Sequence, residues 1–78
     1  MAEVVDAELL RLFAEALRVD PAALSLDSAR GEVGEWDSLG HVVAMLAVEQ
    51  RYGVQLTLEE LEGLRTIRQV KEALARPR

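Results

Sequence analysis

Asp37, Ser38 and His41 are the residues of this 78-residue chain whose types and spacing invite chemistry. A serine beside a carboxylate and an imidazole suggests a nucleophile with a general base. The spacing opposes that reading. Ser38 and His41 lie three apart on what reads as one helix, and Asp37 is placed to cap backbone N–H groups instead of orienting an imidazole. Gly-x-Ser-x-Gly is absent, and no other stretch supplies oxyanion donors. A metal site fails on composition, because one histidine and no cysteine cannot furnish the usual nitrogen and sulfur set. The residues do fit attachment. Asp37 is a good helix N-cap, an apolar helical pattern starts directly after it, and Ser38 falls at or just inside the helix N-terminus. Backbone donors and the helix dipole favour negative charge there, so a serine at this point can carry a phosphate ester.

The helix that begins at Ser38 should run over about 38–52, with Gly53 as a left-handed stop. Its apolar residues cover more than one face, whereas a half-exposed helix needs only one stripe. Ala44, Met45, Val48 and Tyr52 are assigned to the core. Leu39, Val42, Val43 and Leu46 form a second edge on the side of Ser38, assigned at least in part to partner contact; for Leu46, burial is expected. Ahead of it, Val5, Leu9, Leu12, Phe13, Ala16 and Leu17 recur at helical spacing and predict a first helix over about 3–18. Early Glu3, Asp6 and Glu8 and late Arg18 suit its dipole. A long connection over about 19–36 follows, opened by a turn at Asp20-Pro21 and anchored by Leu24 and Leu26, with Gly31 and Gly34 permitting turns around Val33. Thr57 with Glu60 and Thr66 with Gln69 read as capping boxes for short helices over about 58–63 and 66–75, and Pro77 prevents further helix.

Asp37-Ser38-Leu39, within Trp36-Asp37-Ser38-Leu39-Gly40-His41, resembles the Asp-Ser-Leu signature of acyl carrier proteins, and the wider string resembles discrete bacterial carriers. The resemblance implies an all-α, four-helix bundle with a long first loop and a short third helix, which is the order of elements read above. It implies 4′-phosphopantetheine, transferred from coenzyme A to the Ser38 oxygen by a phosphopantetheinyl transferase. It also implies an acyl- or aminoacyl-loading ligase and downstream transferase or synthase enzymes as partners. Asp37 would then act both as cap and as an acidic contact for the transferase, with capping alone as the alternative. Leu39 is expected at an interface. Trp36 is expected to pack at the loop–helix junction, with contact to the attached group or a partner as the alternative. His41 is expected as a solvated surface residue, with a place beside the phosphate as the alternative.

The helix departs from the fatty-acid-synthesis pattern, in which it is strongly acidic. Here it reads Gly40-His41-Val42-Val43, with Glu49 the only acid after Asp37. The Gly-Gly-His/Asp-Ser form of peptidyl carriers is also absent. Apolar contact around Val42 and Val43 would replace acidic docking, and a small acyl, hydroxyacyl or aminoacyl cargo is favoured, with lipid synthesis left open.

Composition bounds the rest. A chain of this length is expected to form one domain over 1–78, with a small core and little room for an enclosed active site. Fourteen acidic against nine basic side chains, net charge −5, oppose nucleic acid. No apolar run has the length of a membrane span, and Met1-Ala2-Glu3 lacks the basic start of a signal peptide. A cytoplasmic monomer without catalytic activity is expected. The alternative functions are an unmodified helical protein-interaction module and, less well matched to the charge, a helix-turn-helix DNA binder.

Overall fold

Four helices are arranged in the order α1 (Asp6–Leu17), α2 (Ser38–Tyr52), α3 (Leu58–Gly63) and α4 (Ile67–Ala75), with one 3₁₀ turn at Pro21–Ala23. The computed structural model describes residues 4–76, and among these there is no strand, so the architecture is the expected all-α one. Several boundaries have a local chemical cause. Asp20 Oδ1 accepts from the Ala22 N–H at 2.9 Å and starts the 3₁₀ turn, with Pro21 at its first position. Gly53, at φ 64°, closes α2 in the left-handed conformation. The Thr57–Glu60 and Thr66–Gln69 pairs each form both bonds of a capping box, at 3.0–3.1 Å for the first and 3.1–3.2 Å for the second.

The first helix is shorter than its apolar pattern suggests. It begins at Asp6, not near Glu3, which lies outside the described residues, as does Pro77. Val5 is its N-cap and is exposed, so it does not belong to the buried stripe. Arg18 is not in the last turn. It is the C-cap, held left-handed at φ 60°, ψ 46°. Similarly, Thr66 caps α4 from outside, so the helix starts at Ile67.

The core is built from Leu9, Phe13 and Leu17 of α1, Ala44, Met45 and Val48 of α2, and Ile67, Val70 and Leu74 of α4, closed by Leu24, Trp36, Leu56 and Leu64 from the connections. At roughly 1.5–3 kcal/mol per large side chain removed from water, these residues supply most of the driving force for folding. The long first loop is held by backbone bonds to the start of α4. Arg68 N–H donates to the Leu26 carbonyl at 2.7 Å, Ile67 N–H to that of Ser28 at 3.3 Å, and Arg30 N–H to that of Arg65 at 2.7 Å. The exposed Asp27–Arg68 ion pair, at 2.9 Å, lies beside them. The loop therefore returns across the α3–α4 link before it reaches Ser38.

Candidate functional site

The start of α2 is assembled from the loop side and from the helix side. From the loop, Trp36 N–H donates to the Val33 carbonyl at 2.9 Å, and the Trp36 carbonyl accepts from Gly31 N–H at 3.2 Å. Gly31 has a φ of 96°, which a side chain would resist. From the helix, Asp37 Oδ1 accepts from Gly40 N–H at 2.8 Å, and the Asp37 carbonyl accepts from His41 N–H at 2.8 Å. Ser38 is thus the first helical residue, and it is exposed. Among the described residues, the N–H groups of Ser38 and Leu39 have no protein acceptor, as expected for the first turn of a helix.

Trp36 is wholly buried at the loop–helix junction, as its position suggests. Its ring meets Phe13 with centroids 5.2 Å apart and a tilt of 59°. That contact fixes the residue two before Ser38 to the middle of α1.

His41 overturns the expectation of a solvated residue. It is only 6% exposed. Trp36 Nε1–H donates to its Nδ1 at 2.9 Å, and its Nε2 lies 2.6 Å from the Leu61 carbonyl. An indole N–H can only donate and a carbonyl can only accept, so the ring is neutral with its proton on Nε2. Burial lowers its pKa below the ordinary imidazole value. Arg30 and Arg65 push in the same direction, and the bond to Leu61 opposes them. The ring ties together the loop, α2 and α3, and with both nitrogens engaged neither is free to bond a phosphate on Ser38.

Gly40 is a second feature the sequence did not single out. A Cβ on it would lie 2.2 Å from the Glu35 carbonyl oxygen and 3.0 Å from Leu17 Cδ2. The loop backbone therefore passes directly against the first turn of α2, and only glycine leaves room for it.

The outer face of α2 is apolar. Leu39 is 73% exposed, Val42 55% and Val43 42%. Leu46, expected to be buried, is 54% exposed and joins this face. The short α3 does not cover it; between α2 and α3 there is only a cleft of about 90 Å³ lined by His41, Val42, Met45, Leu46, Glu49 and Leu61. Among the described residues, no group of three or more His, Asp or Glu side chains is placed to hold a metal ion.

Comparison with known proteins gives this arrangement its context. Residues 7–74 match the family model described as a phosphopantetheine attachment site. The chain belongs to that family. Relatives include the acyl carrier protein MbtL of Mycolicibacterium paratuberculosis, 37% identical over 71 residues, which cover 91% of this chain and 80% of that protein. An acyl carrier protein of Rhodococcus erythropolis is 32% identical over 65 residues, covering 83% of this chain and 71% of the relative. The protein is thus a carrier in biosynthesis that bears covalent 4′-phosphopantetheine, and it works with a transferase and with biosynthetic enzymes.

The start of α2 fits that group. It offers an exposed hydroxyl at the first helical position, free N–H groups in the same turn, and the positive end of a fifteen-residue helix. The adjacent Asp37 carboxylate would repel a phosphate, but one of its oxygens is engaged by Gly40 N–H. When bound, the group supplies the thiol that a chain without cysteine lacks.

Proposed function

We propose that Ser38 bears the 4′-phosphopantetheine and that the carrier shuttles a thioester-bound small acyl, hydroxyacyl or aminoacyl unit between biosynthetic enzymes. The observation that carries this is a single one: Ser38 is exposed at the first position of a capped helix whose approach is fixed by a buried tryptophan. A transferase needs both access to the hydroxyl and a defined backbone around it. The carrier itself performs no catalysis; its role is to present the serine and to be read by partners.

Asp37, Leu39, Val42 and Val43 form the surface read by the transferase, by a loading acyl or aminoacyl ligase, and by downstream transferase or synthase enzymes. The exposed apolar side chains of α2 support this, since the monomer leaves them uncovered. The cleft of about 90 Å³ between α2 and α3 is too small to enclose a long acyl chain, and it sets no limit on a cargo carried outside the bundle. A single cytoplasmic domain over 1–78, acting as a monomer, completes the reading. Among the described residues no helix is long and apolar enough to cross a membrane.

Transfer from a fluorescent coenzyme A conjugate by a broad-specificity phosphopantetheinyl transferase tests this. Wild-type protein should become labelled, and Ser38→Ala should not. Absence of label on folded wild-type protein would leave a helical docking module that this serine does not serve.

A further inference from the structure

Both ring nitrogens of His41 are committed, and to opposite neighbours. Nδ1 takes the indole proton of Trp36 and Nε2–H serves the Leu61 carbonyl. The two rings are also nearly parallel, with centroids 6.1 Å apart and a 20° interplanar angle. Trp36 is the hub of the turn that leads into α2, since its N–H, its carbonyl and its indole N–H all have partners. Asp37 and Ser38 follow it directly. A buried indole N–H that loses its acceptor is unsatisfied, and the cheapest relief is for the tryptophan to move toward water. Such a movement carries the cap and the serine with it.

We infer that His41 is a positioning residue for loading: by accepting the Trp36 indole proton, its neutral Nδ1 holds the turn that presents Ser38, so that protonating this nitrogen slows attachment there. The inference rests on Ser38 being the attachment serine. His41 does not touch that serine and acts only through Trp36. A proton on Nδ1 would set N–H against N–H across 2.9 Å. The charges around the ring add to the cost. Arg30 of the first loop and Arg65 of the α3–α4 link both disfavour a further cation. On the α2 side, Glu49 lines the same cleft, but its carboxylate accepts from Leu56 N–H at 2.8 Å. From α3 the ring meets a carbonyl.

Three substitutions separate the two bonds. The Oδ1 of His41→Asn sits where Nδ1 was and cannot titrate, so it keeps the Trp36 bond. The amide of His41→Gln reaches toward Leu61 instead, and Trp36→Phe removes the donor. Loading with coenzyme A and one transferase preparation is followed by intact mass from about pH 8 to about pH 5.5, and rates are expressed as ratios to cancel the transferase's own pH profile. His41→Asn should load like the wild type at the alkaline end, and the wild-type to His41→Asn ratio should fall toward the acid end as the ring takes up its proton. His41→Gln and Trp36→Phe should load about five- to tenfold more slowly throughout, without adding to each other in the double variant. Wild-type protein supplies a readout that needs no variant, because the indole N–H resonance of its one tryptophan should titrate together with the loading ratio. Wild-type rates in His41→Gln and Trp36→Phe, a flat ratio, or an indole signal indifferent to pH would overturn the inference while leaving Ser38 in place. No mass gain in wild-type protein at any pH would instead overturn the attachment reading.

Discussion

At the scale of single residues, two positions hold the loop against the start of α2. Gly40 is one. Glycine inside a helix costs about 1 kcal/mol against alanine, so propensity alone says that Gly40→Ala should stabilise α2. The Glu35 carbonyl, 2.2 Å from the new Cβ, decides otherwise. Relief requires backbone movement, and overpacking of this kind costs about 1–3 kcal/mol. Gly40→Ala should therefore lower stability by about 1 kcal/mol net in urea unfolding, and it should slow loading at Ser38, since the displaced carbonyl lies three residues before that serine. A stabilised variant with unchanged loading would remove the contact from consideration. Neither Gly40 nor His41 was legible in the sequence as a structural residue. Glycine in a helix reads as lost propensity. His41 sits one turn beyond an exposed serine, and its partners lie five residues before it and twenty residues after it. Asp37 was legible because capping is local, and Trp36 because a large apolar residue at a junction is expected to pack, although its partner Phe13 on α1 is not written beside it.

At the scale of elements, the spans of α2 and α3 followed from caps and stops written in adjacent residues: Asp37, Gly53, Thr57 and Glu60. The exposed side of α2 was harder to define. A helix apolar on more than one face does not say which face its neighbours cover, and the pattern points Leu46 inward because the reach of α3 is not written in α2. The six-residue α3 leaves Leu46 outside. The face formed by Leu39, Val42 and Val43 should therefore tolerate polar change in the fold. Leu39→Asp and Val42→Asp should each shift unfolding free energy by no more than about 0.5 kcal/mol. Under the proposed partner surface they should also raise the transferase KM about tenfold, through loss of buried apolar contact. Unchanged kinetics in both would mean that partners read another surface. Arg18 makes a separate prediction for α1. Its left-handed backbone costs about 1–2 kcal/mol, whereas glycine adds about 0.5–1 kcal/mol of unfolded-state entropy. Arg18→Gly should thus be more stable by about 0.5–1 kcal/mol, seen as a higher urea midpoint at constant slope.

At the scale of the whole molecule, a small bundle is held by one apolar core, and the surface ion pairs add little. Asp27–Arg68, Asp6–Lys71 and Glu8–Arg51 are all substantially exposed, and such pairs contribute about 0–1 kcal/mol each. The loop's return across the α3–α4 link could not be read from the sequence, because three backbone bonds between distant segments leave no pattern in side-chain type. The pH dependence of folding follows from His41. Its folded pKa lies below its unfolded value, so the unfolded chain takes up the proton first. Its contribution is complete above about pH 6.5 and is lost as pH falls from there through the folded pKa. Asp27 is depressed in the same sense by Arg68, but its loss falls in the carboxylate range well below. The urea midpoint of the wild type should therefore decline between about pH 7 and about pH 5, and His41→Asn should show a shallower decline. Equal slopes would mean that the ring titrates alike in both states.

The most direct test of the carrier reading is a fragment mass spectrum of the wild-type protein after incubation with coenzyme A and a phosphopantetheinyl transferase. One added phosphopantetheine on the peptide containing Ser38, assigned to that serine, is the expected result. The same mass on any other residue, or its persistence in Ser38→Ala, would contradict it.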